Sequence, residues 1–420
     1  MQTNLAPQYQ GTPEGREAEA ILRNCVHCGF CTATCPTYQT LGDELDGPRG
    51  RIYLIKQVLE GQTATRSTQM HLDRCLTCRS CESTCPSGVQ YGHLLEMGRQ
   101  VVEAQVPRPL GERLQRWALK EGLPSPLFAP AMRLGQAVRS WLPEGIRAKV
   151  PAPQAHGAWP TRRHARKVLL HTGCVQPAML PQINYATARV LDAAGIETVV
   201  LGAHRCCGAI KLHLNDQEGA LAQMRATLDA WWPAVQAGEV EAIVSNASGC
   251  GAMLKDWGHQ LRHDPRYAEK AARISALTRD LSELLPEMLP ELVQQLQGKV
   301  QVPAQPMLYH PPCSLQHAQK LKGVVEAHLQ QLGFVLITAR TEAHLCCGSG
   351  GTYSVLQPVM AQVLRDRKLQ ALHEEVAQPA AILSANIGCI THLQSGTAVP
   401  VRHWVEVLDA ALQAGSPMQA

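Results

Sequence analysis

Short continuous apolar runs and longer helix-period runs alternate along the C-terminal two thirds of the chain. "KVLLHTGC" (residues 167–174) and "PMLYHPPC" (306–313) each read as a buried strand running into a loop. "ATARVLDAAGIETVVL" (186–201) and "VVEAHLQQLGFVLITA" (324–339) each read as a helix, a glycine stop and a strand. Strands alternating with helices predict a parallel sheet with helices on its faces, and the matching pairs predict that this unit occurs twice. Nearer the N-terminus, "RGRIYLIKQVLEG" (49–61) has the apolar period of a helix.

Between these regions the pattern weakens. Residues 106–165 are rich in Pro, Arg and Ala and end in "VPAPQAHGAWPTRRHARK", which predicts a linker. Within it, Leu110 to Leu142 is partly amphipathic, with Arg113, Arg116, Arg133 and Arg139 among Leu, Trp and Phe. Packing against the core or a partner is the expected use of that face, with an interfacial membrane helix as the alternative. The expected units are therefore 1–105, cysteine-dense and mainly helical; 106–165, a linker with amphipathic helices; 166–299; and 300–420, the last two being α/β repeats.

Composition adds two constraints. Hydrophobic residues at 45% and charged residues at 18% fit a folded globular chain, and a net charge of +4 is too small to argue for nucleic acid. No secretory signal and no uninterrupted apolar stretch of membrane-spanning length is present, so a cytoplasmic location is expected. In that reducing compartment 16 cysteines point to metal or redox chemistry rather than a disulfide framework.

The cysteines fall into two sets. Cys25, Cys28, Cys31, Cys35 and Cys75, Cys78, Cys81, Cys85 both read C-x2-C-x2-C-x3-C-P. A cubane cluster offers four iron corners, and three cysteines spaced by three residues can wrap three of them. In two-cluster ferredoxins the last cysteine of such a run serves the other cluster. The expected ligand sets are thus Cys25, Cys28, Cys31 with Cys85, and Cys75, Cys78, Cys81 with Cys35, making two [4Fe–4S] clusters. Pro36 and Pro86 bias the preceding cysteines toward extended backbone and so toward the neighbouring cluster. Structural zinc commonly uses two C-x2-C pairs without a third cysteine at the same spacing. His27, inside the first loop, reads as a donor to the cluster surroundings rather than a ligand.

The second set comprises Cys174, Cys206, Cys207, Cys250 and Cys313, Cys346, Cys347, Cys389, offset by 139 or 140 residues. His171 matches His310, and His204 matches His344. Gly208 and Gly348 follow the paired cysteines, where absence of a side chain leaves room beside the backbone. "CGSGGT" (347–352) lacks the spacing of a phosphate loop, and no dinucleotide fingerprint is present, so neither flavin nor nicotinamide is expected on this chain.

"RCCGAI" and "LCCGSG" resemble the Cys-Cys-Gly domains of heterodisulfide reductase and related respiratory subunits. The whole arrangement, two ferredoxin runs followed by two such domains, resembles the iron–sulfur subunits of glycolate oxidase, with "CVHCGFCTATCPTYQTLGDELDGPRGRIYLIKQVLEG", "DAWWPAVQAG" and "HPPCSLQHAQKL" among the segments that carry the likeness. The family's last element is C-x-x-C, whereas Met253 and His392 stand at the final positions here. Four cysteines per repeat would then hold a further iron–sulfur cluster or zinc, with His392 an added ligand. The resemblance implies an electron-transfer subunit that is not catalytic alone. It implies two FAD-type partner subunits oxidising glycolate to glyoxylate, (R)-lactate being a further substrate, and electrons passing to the quinone pool at the inner membrane. Alternatives are the equivalent subunit of a lactate or glycerol-3-phosphate dehydrogenase, a heterodisulfide-reductase-like thiol/disulfide redox protein, or a docking scaffold.

Overall fold

Four helices build the N-terminal unit: Pro13–Asn24, Pro48–Leu59, Arg66–Asp73 and Tyr91–Gln105. The structure is a computed structural model and describes residues 1–147, 149–202, 206–296 and 306–414. Pro48 starts its helix at a position where a missing N–H costs nothing, and Ile52, Ile55, Val58 and Leu59 form the buried stripe. That stripe meets Tyr91–Gln105 at Gly98, where a Cβ would stand 2.5 Å from Ile55 Cγ1, so only glycine allows the approach. Around this pair the chain makes two tight cysteine loops, described below.

Two four-stranded parallel sheets follow, as the alternation of runs predicts. The first contains β1 (Arg166–His171), β2 (Ile196–Val199), β3 (Ala242–Ser245) and β4 (Thr278–Asp280) in the order β2-β1-β3-β4. The second contains β5 (Met307–Tyr309), β6 (Leu336–Thr338), β7 (Ile382–Ser384) and β8 (Val401–His403) in the order β6-β5-β7-β8. Register is equivalent too: Val168 pairs with Ala242 and Leu308 with Ile382. The helices Gln182–Ala193 and Val324–Gln331 end before Gly195 and Gly333, both at positive φ (74° and 91°), and β2 and β6 begin within three residues.

The two repeats bury a common core. Val168, Val190 and Val244 of the first lie in one apolar cluster with Leu308, Leu383 and Trp404 of the second. Arg189 and Asp409 bridge them at 2.7 Å. The expected boundary at 299/300 lies outside the described residues, as does His204.

Residues 106–165 are more ordered than the word linker suggests. Helix Leu110–Gly122 straps the N-terminal unit to the first repeat: Arg116 pairs with Asp73 at 3.1 Å, and Lys120 with Asp216 at 3.1 Å. Its apolar residues face outward, with Leu110 and Trp117 69% and 60% exposed, and Trp141 farther along is 85% exposed.

Candidate metal centres

Each N-terminal cysteine run is bent by left-handed residues at the same two places. His27 and Thr77 have φ of 55° and 53°, and Gly29 and Arg79 have 86° and 59°. One-turn helices then begin at Phe30 and Ser80. This backbone curls the first three thiols of each run inward around a hollow. Cys35 and Cys85 are extended (φ −88°, ψ 113° and φ −74°, ψ 115°), the geometry a following proline favours.

The hollows gather thiols from both runs. One is lined by Cys25, Cys28, Cys31 and Cys85, with Cys81 on its wall. The other is lined by Cys35, Cys75, Cys78 and Cys81. Tyr91 lies on both, fully enclosed, and its hydroxyl donates to Cys75 Sγ at 3.6 Å. Burial pushes the Cys31 thiol up to about 11 and raises Cys78 and Cys81 well beyond the ordinary thiol range. Thiols brought together in these hollows suit iron that takes the place of their protons. The donor set of each hollow, thiols from both runs, fits a [4Fe–4S] group.

The hollows differ in exposure. Val26, Phe30 and Cys28 leave the first open to the surface. The second repeat packs against one side of the second hollow. Cys78 packs with Leu76, Cys313, Cys346 and Tyr353, whose hydroxyl donates to Arg74 O at 3.2 Å. Ser83 Oγ meets His317 Nδ1 at 2.8 Å.

A buried charge cluster that sequence reading missed braces the second hollow. Arg51, 1% exposed, lines it and reaches Asp46 at 3.3 Å, Thr37 Oγ1 at 3.1 Å and His71 O at 2.8 Å. Asp46 also takes Arg74 at 3.0 Å and His71 at 3.1 Å. Asp43, Asp46 and His71 are close enough to suggest an ion site, but the two arginines already serve Asp46. A fixed guanidinium beside four thiolates offsets their charge, one of the levers that set a cluster's potential. The signal was "GPRGR" between the runs, an arginine on the apolar face of the predicted helix.

His27 lies on the wall of the first hollow, where its Nε2 meets Met1 Sδ, and burial lowers its pKa.

The C-terminal cysteines collect at the carboxyl ends of the central strands, the crevice where parallel sheets bind ligands. Cys174 follows β1 and Cys250 starts the helix after β3; Cys313 and Cys389 stand likewise after β5 and β7. Cys174 Sγ is 3.5 Å from Cys206 Sγ, and Cys207 contacts Cys250. Hydrogen bonds from Cys174, Cys207 and Gly208 N hold Cys206 well below the ordinary thiol range. In the second repeat Cys313 Sγ and Cys346 Sγ are 3.8 Å apart, and Cys347 contacts both Cys346 and Cys389. Indole and amide groups fix these turns: Trp257 Nε1 donates to Cys207 O at 2.9 Å and Gln316 Nε2 to Ala343 O at 3.2 Å.

The two residues at the final cysteine positions are placed differently. Met253 is buried in an apolar cluster with Cys207, Met224 and Trp257. His392 has Nε2 on Ala361 O at 3.0 Å and lies outside the group of ligand atoms within 4.8 Å of one another. His310 takes that place, beside Cys347 and Cys389. Its match with His171 across the repeats was visible in sequence, but its proximity to thiols was not.

Comparison with known proteins agrees with this layout. A 4Fe-4S dicluster domain profile matches residues 21–89, and a cysteine-rich domain profile matches 168–255 and 307–394. The chain is 52% identical over 415 residues to the glycolate oxidase iron–sulfur subunit of Escherichia coli, covering 98% of this chain and 100% of that one. It belongs to the glycolate oxidase iron–sulfur subunit family. The probable glycolate oxidase iron–sulfur subunit of Bacillus subtilis is 30% identical, with 93% of this chain and 92% of that one covered. Lactate utilization protein A of Geobacillus thermodenitrificans is 29% identical over 58% of this chain and 98% of its own. As a member of the glycolate oxidase iron–sulfur subunit family, the chain is an iron–sulfur electron-transfer subunit with a role in an oxidoreductase complex.

One consequence concerns Tyr91. Its hydroxyl stabilises negative charge on Cys75, so Tyr91→Phe should lower the midpoint potential of the second centre and leave the first unchanged. A net hydrogen bond of about 0.5–1.5 kcal/mol corresponds to a fall of roughly 20–60 mV at about 59 mV per 1.4 kcal/mol. Potentiometric titration followed by electron paramagnetic resonance measures it; equal shifts in both centres would contradict the placement.

Proposed function

We propose that this chain carries electrons through two [4Fe–4S] clusters as a subunit of a complex that oxidises glycolate to glyoxylate, with (R)-lactate a further substrate. The observation that carries the reading is the pair of thiol-lined hollows sharing Cys81 and Tyr91 on their walls. Such clusters, when bound, each accept and pass on one electron. The protein's part is to hold their ligands, pack the second repeat against the second and place Cys28 of the first at the surface. The open first hollow, rimmed by Val26 and Phe30, is where a redox partner can approach. Two FAD-type subunits are the proposed donors, and the quinone pool the destination.

We further assign residues 1–105, 106–165, 166–299 and 300–420 as the working units, and Cys174, Cys206, Cys207, Cys250, Cys313, Cys346, Cys347 and Cys389 as holding an additional cluster or zinc. Among the described residues no helix is long and apolar enough to cross a membrane. Peripheral attachment to the cytoplasmic side of the inner membrane is supported by the exposed Leu110, Trp117 and Trp141, with Arg113, Arg133 and Arg139 interleaved in sequence.

The test compares the isolated chain with the complete complex in glycolate-dependent dye reduction. Activity is expected only when the flavin-bearing subunits are present. Turnover of glycolate by the isolated chain would refute the electron-carrier role.

A further inference from the structure

Outside the cysteine loops, three helices bring two imidazoles and a carboxylate together. Glu17 lies on Pro13–Asn24 and His93 on Tyr91–Gln105, both in the N-terminal unit, while His259 lies on Ser248–Gln260 of the first repeat. One ligand atom from each lies within 4.8 Å of the other two. Glu17 Oε1 stands 3.4 Å from His259 Nε2 and 3.9 Å from His93 Nδ1.

The ring protons of this cluster point elsewhere. His93 Nε2 donates to Asp256 Oδ1 at 3.0 Å, which makes Nδ1 the lone-pair nitrogen of the neutral ring. That Nδ1 is buried with no hydrogen-bond partner among the described residues. His259 Nε2 accepts from Arg262 Nη1 at 3.2 Å, so it too presents a lone pair. Arg262 also holds Glu17, but through the other oxygen, Oε2. Three acceptor atoms therefore converge, and a cation between them relieves their repulsion.

The spacing suits a single metal ion. Ligand atoms about 2.1 Å from a tetrahedral ion stand roughly 3.4 Å apart, close to the separations here. A carboxylate on the far nitrogen, as Asp256 is on His93, is the usual device that holds a ligating histidine in orientation. The two rings lie parallel with centroids 3.6 Å apart, so they must tilt to converge on the ion. Beside them a cavity of about 310 Å³, lined by His93, His259, Gln260 and Arg262 among others, leaves room for that tilt and for water as a fourth ligand.

We propose that Glu17, His93 and His259 form a site for one zinc ion that pins the N-terminal unit to the first repeat. Two imidazoles and a carboxylate are a donor set that zinc accepts without thiolate. On binding, Arg262 gives up its contact with His259 Nε2 and keeps the one with His259 O at 2.6 Å. None of the 16 cysteines takes part, so the site stands or falls separately from the thiol-lined centres.

The experiment is equilibrium dialysis of the anaerobically purified complex against micromolar Zn²⁺, followed by zinc-edge X-ray absorption. The native chain should take up about one zinc that His93→Ala and His259→Ala each lose. The difference spectrum, native minus variant, should show nitrogen and oxygen neighbours without sulfur. Glu17→Gln should weaken uptake roughly tenfold or more, while iron content and visible absorbance stay as in the native complex. Unchanged zinc in both histidine variants, sulfur in the difference spectrum, or a cluster that takes up protons but no zinc would each overturn the proposal. If the alanine variants do not assemble, the native complex decides alone: without zinc on nitrogen and oxygen ligands the proposal fails.

Discussion

Cys85→Ser is expected to abolish the same spectroscopic cluster as Cys25→Ser, although 60 residues separate them in sequence. Cys35→Ser should match Cys78→Ser in the same way. The reason is spatial. Cys85 lines the hollow with Cys25, Cys28 and Cys31, whereas Cys35 lines the one with Cys75 and Cys78. The extended backbone before Pro36 and Pro86 carries each cysteine away from its own loop. A serine oxygen is a harder and poorer ligand for iron than a thiolate, so one cluster should be lost or strongly altered and the other retained. Electron paramagnetic resonance of the reduced variants distinguishes the two signals. If Cys35→Ser and Cys25→Ser remove the same signal, each run closes on itself and the crossed assignment is wrong.

The crossed arrangement, as proposed, would also tie the folding of the N-terminal unit to filling of its two hollows. Each hollow draws on both runs, so the two loops are tied together through whatever fills them. Ligand loss should therefore loosen the packing of Pro48–Leu59 on Tyr91–Gln105 as well as empty a site.

Much of this was legible in the sequence, because the strongest signals were periodic. The repeated C-x2-C-x2-C-x3-C-P runs, the matched strand openings at 167 and 306, and the glycine stops at Gly195 and Gly333 all rest on local chemistry that the fold preserves. What stayed hidden depends on contacts between distant segments. Nothing local says that Arg51, inside an apolar stripe, would meet Asp46 and the chain at His71. The C-x-x-H spacing drew attention to His392, three residues after Cys389 on one helix. The structure gives its Nε2 to Ala361 and brings His310 to the thiols from a neighbouring strand. Likewise the stretch from 106 reads as a linker by composition, yet Arg116 and Lys120 dock its first helix through partners at Asp73 and Asp216. The two repeats look separable in sequence; their apolar faces share one core.

The arrangement of sites suggests a direction of flow. The first hollow carries the exposed Cys28, and at the second the second repeat's Cys313 packs against Cys78. An electron arriving at the exposed Cys28 would meet the first centre, cross a wall containing Cys81 and Tyr91, and reach a second centre against which both units pack.

The central claim is that eight N-terminal thiols hold two [4Fe–4S] clusters, and a metal and sulfide count tests it most directly. The full chain, purified anaerobically, is compared with a variant carrying Cys28→Ser and Cys78→Ser, one ligand removed from each set. The native chain should be brown, with about eight irons and eight acid-labile sulfides attributable to these thiols, four to each cluster. The double variant should lose most of that iron and sulfide and its broad visible absorbance, while keeping any zinc bound in the C-terminal repeats. A colourless native chain with zinc on the N-terminal thiols and no labile sulfide would contradict the account.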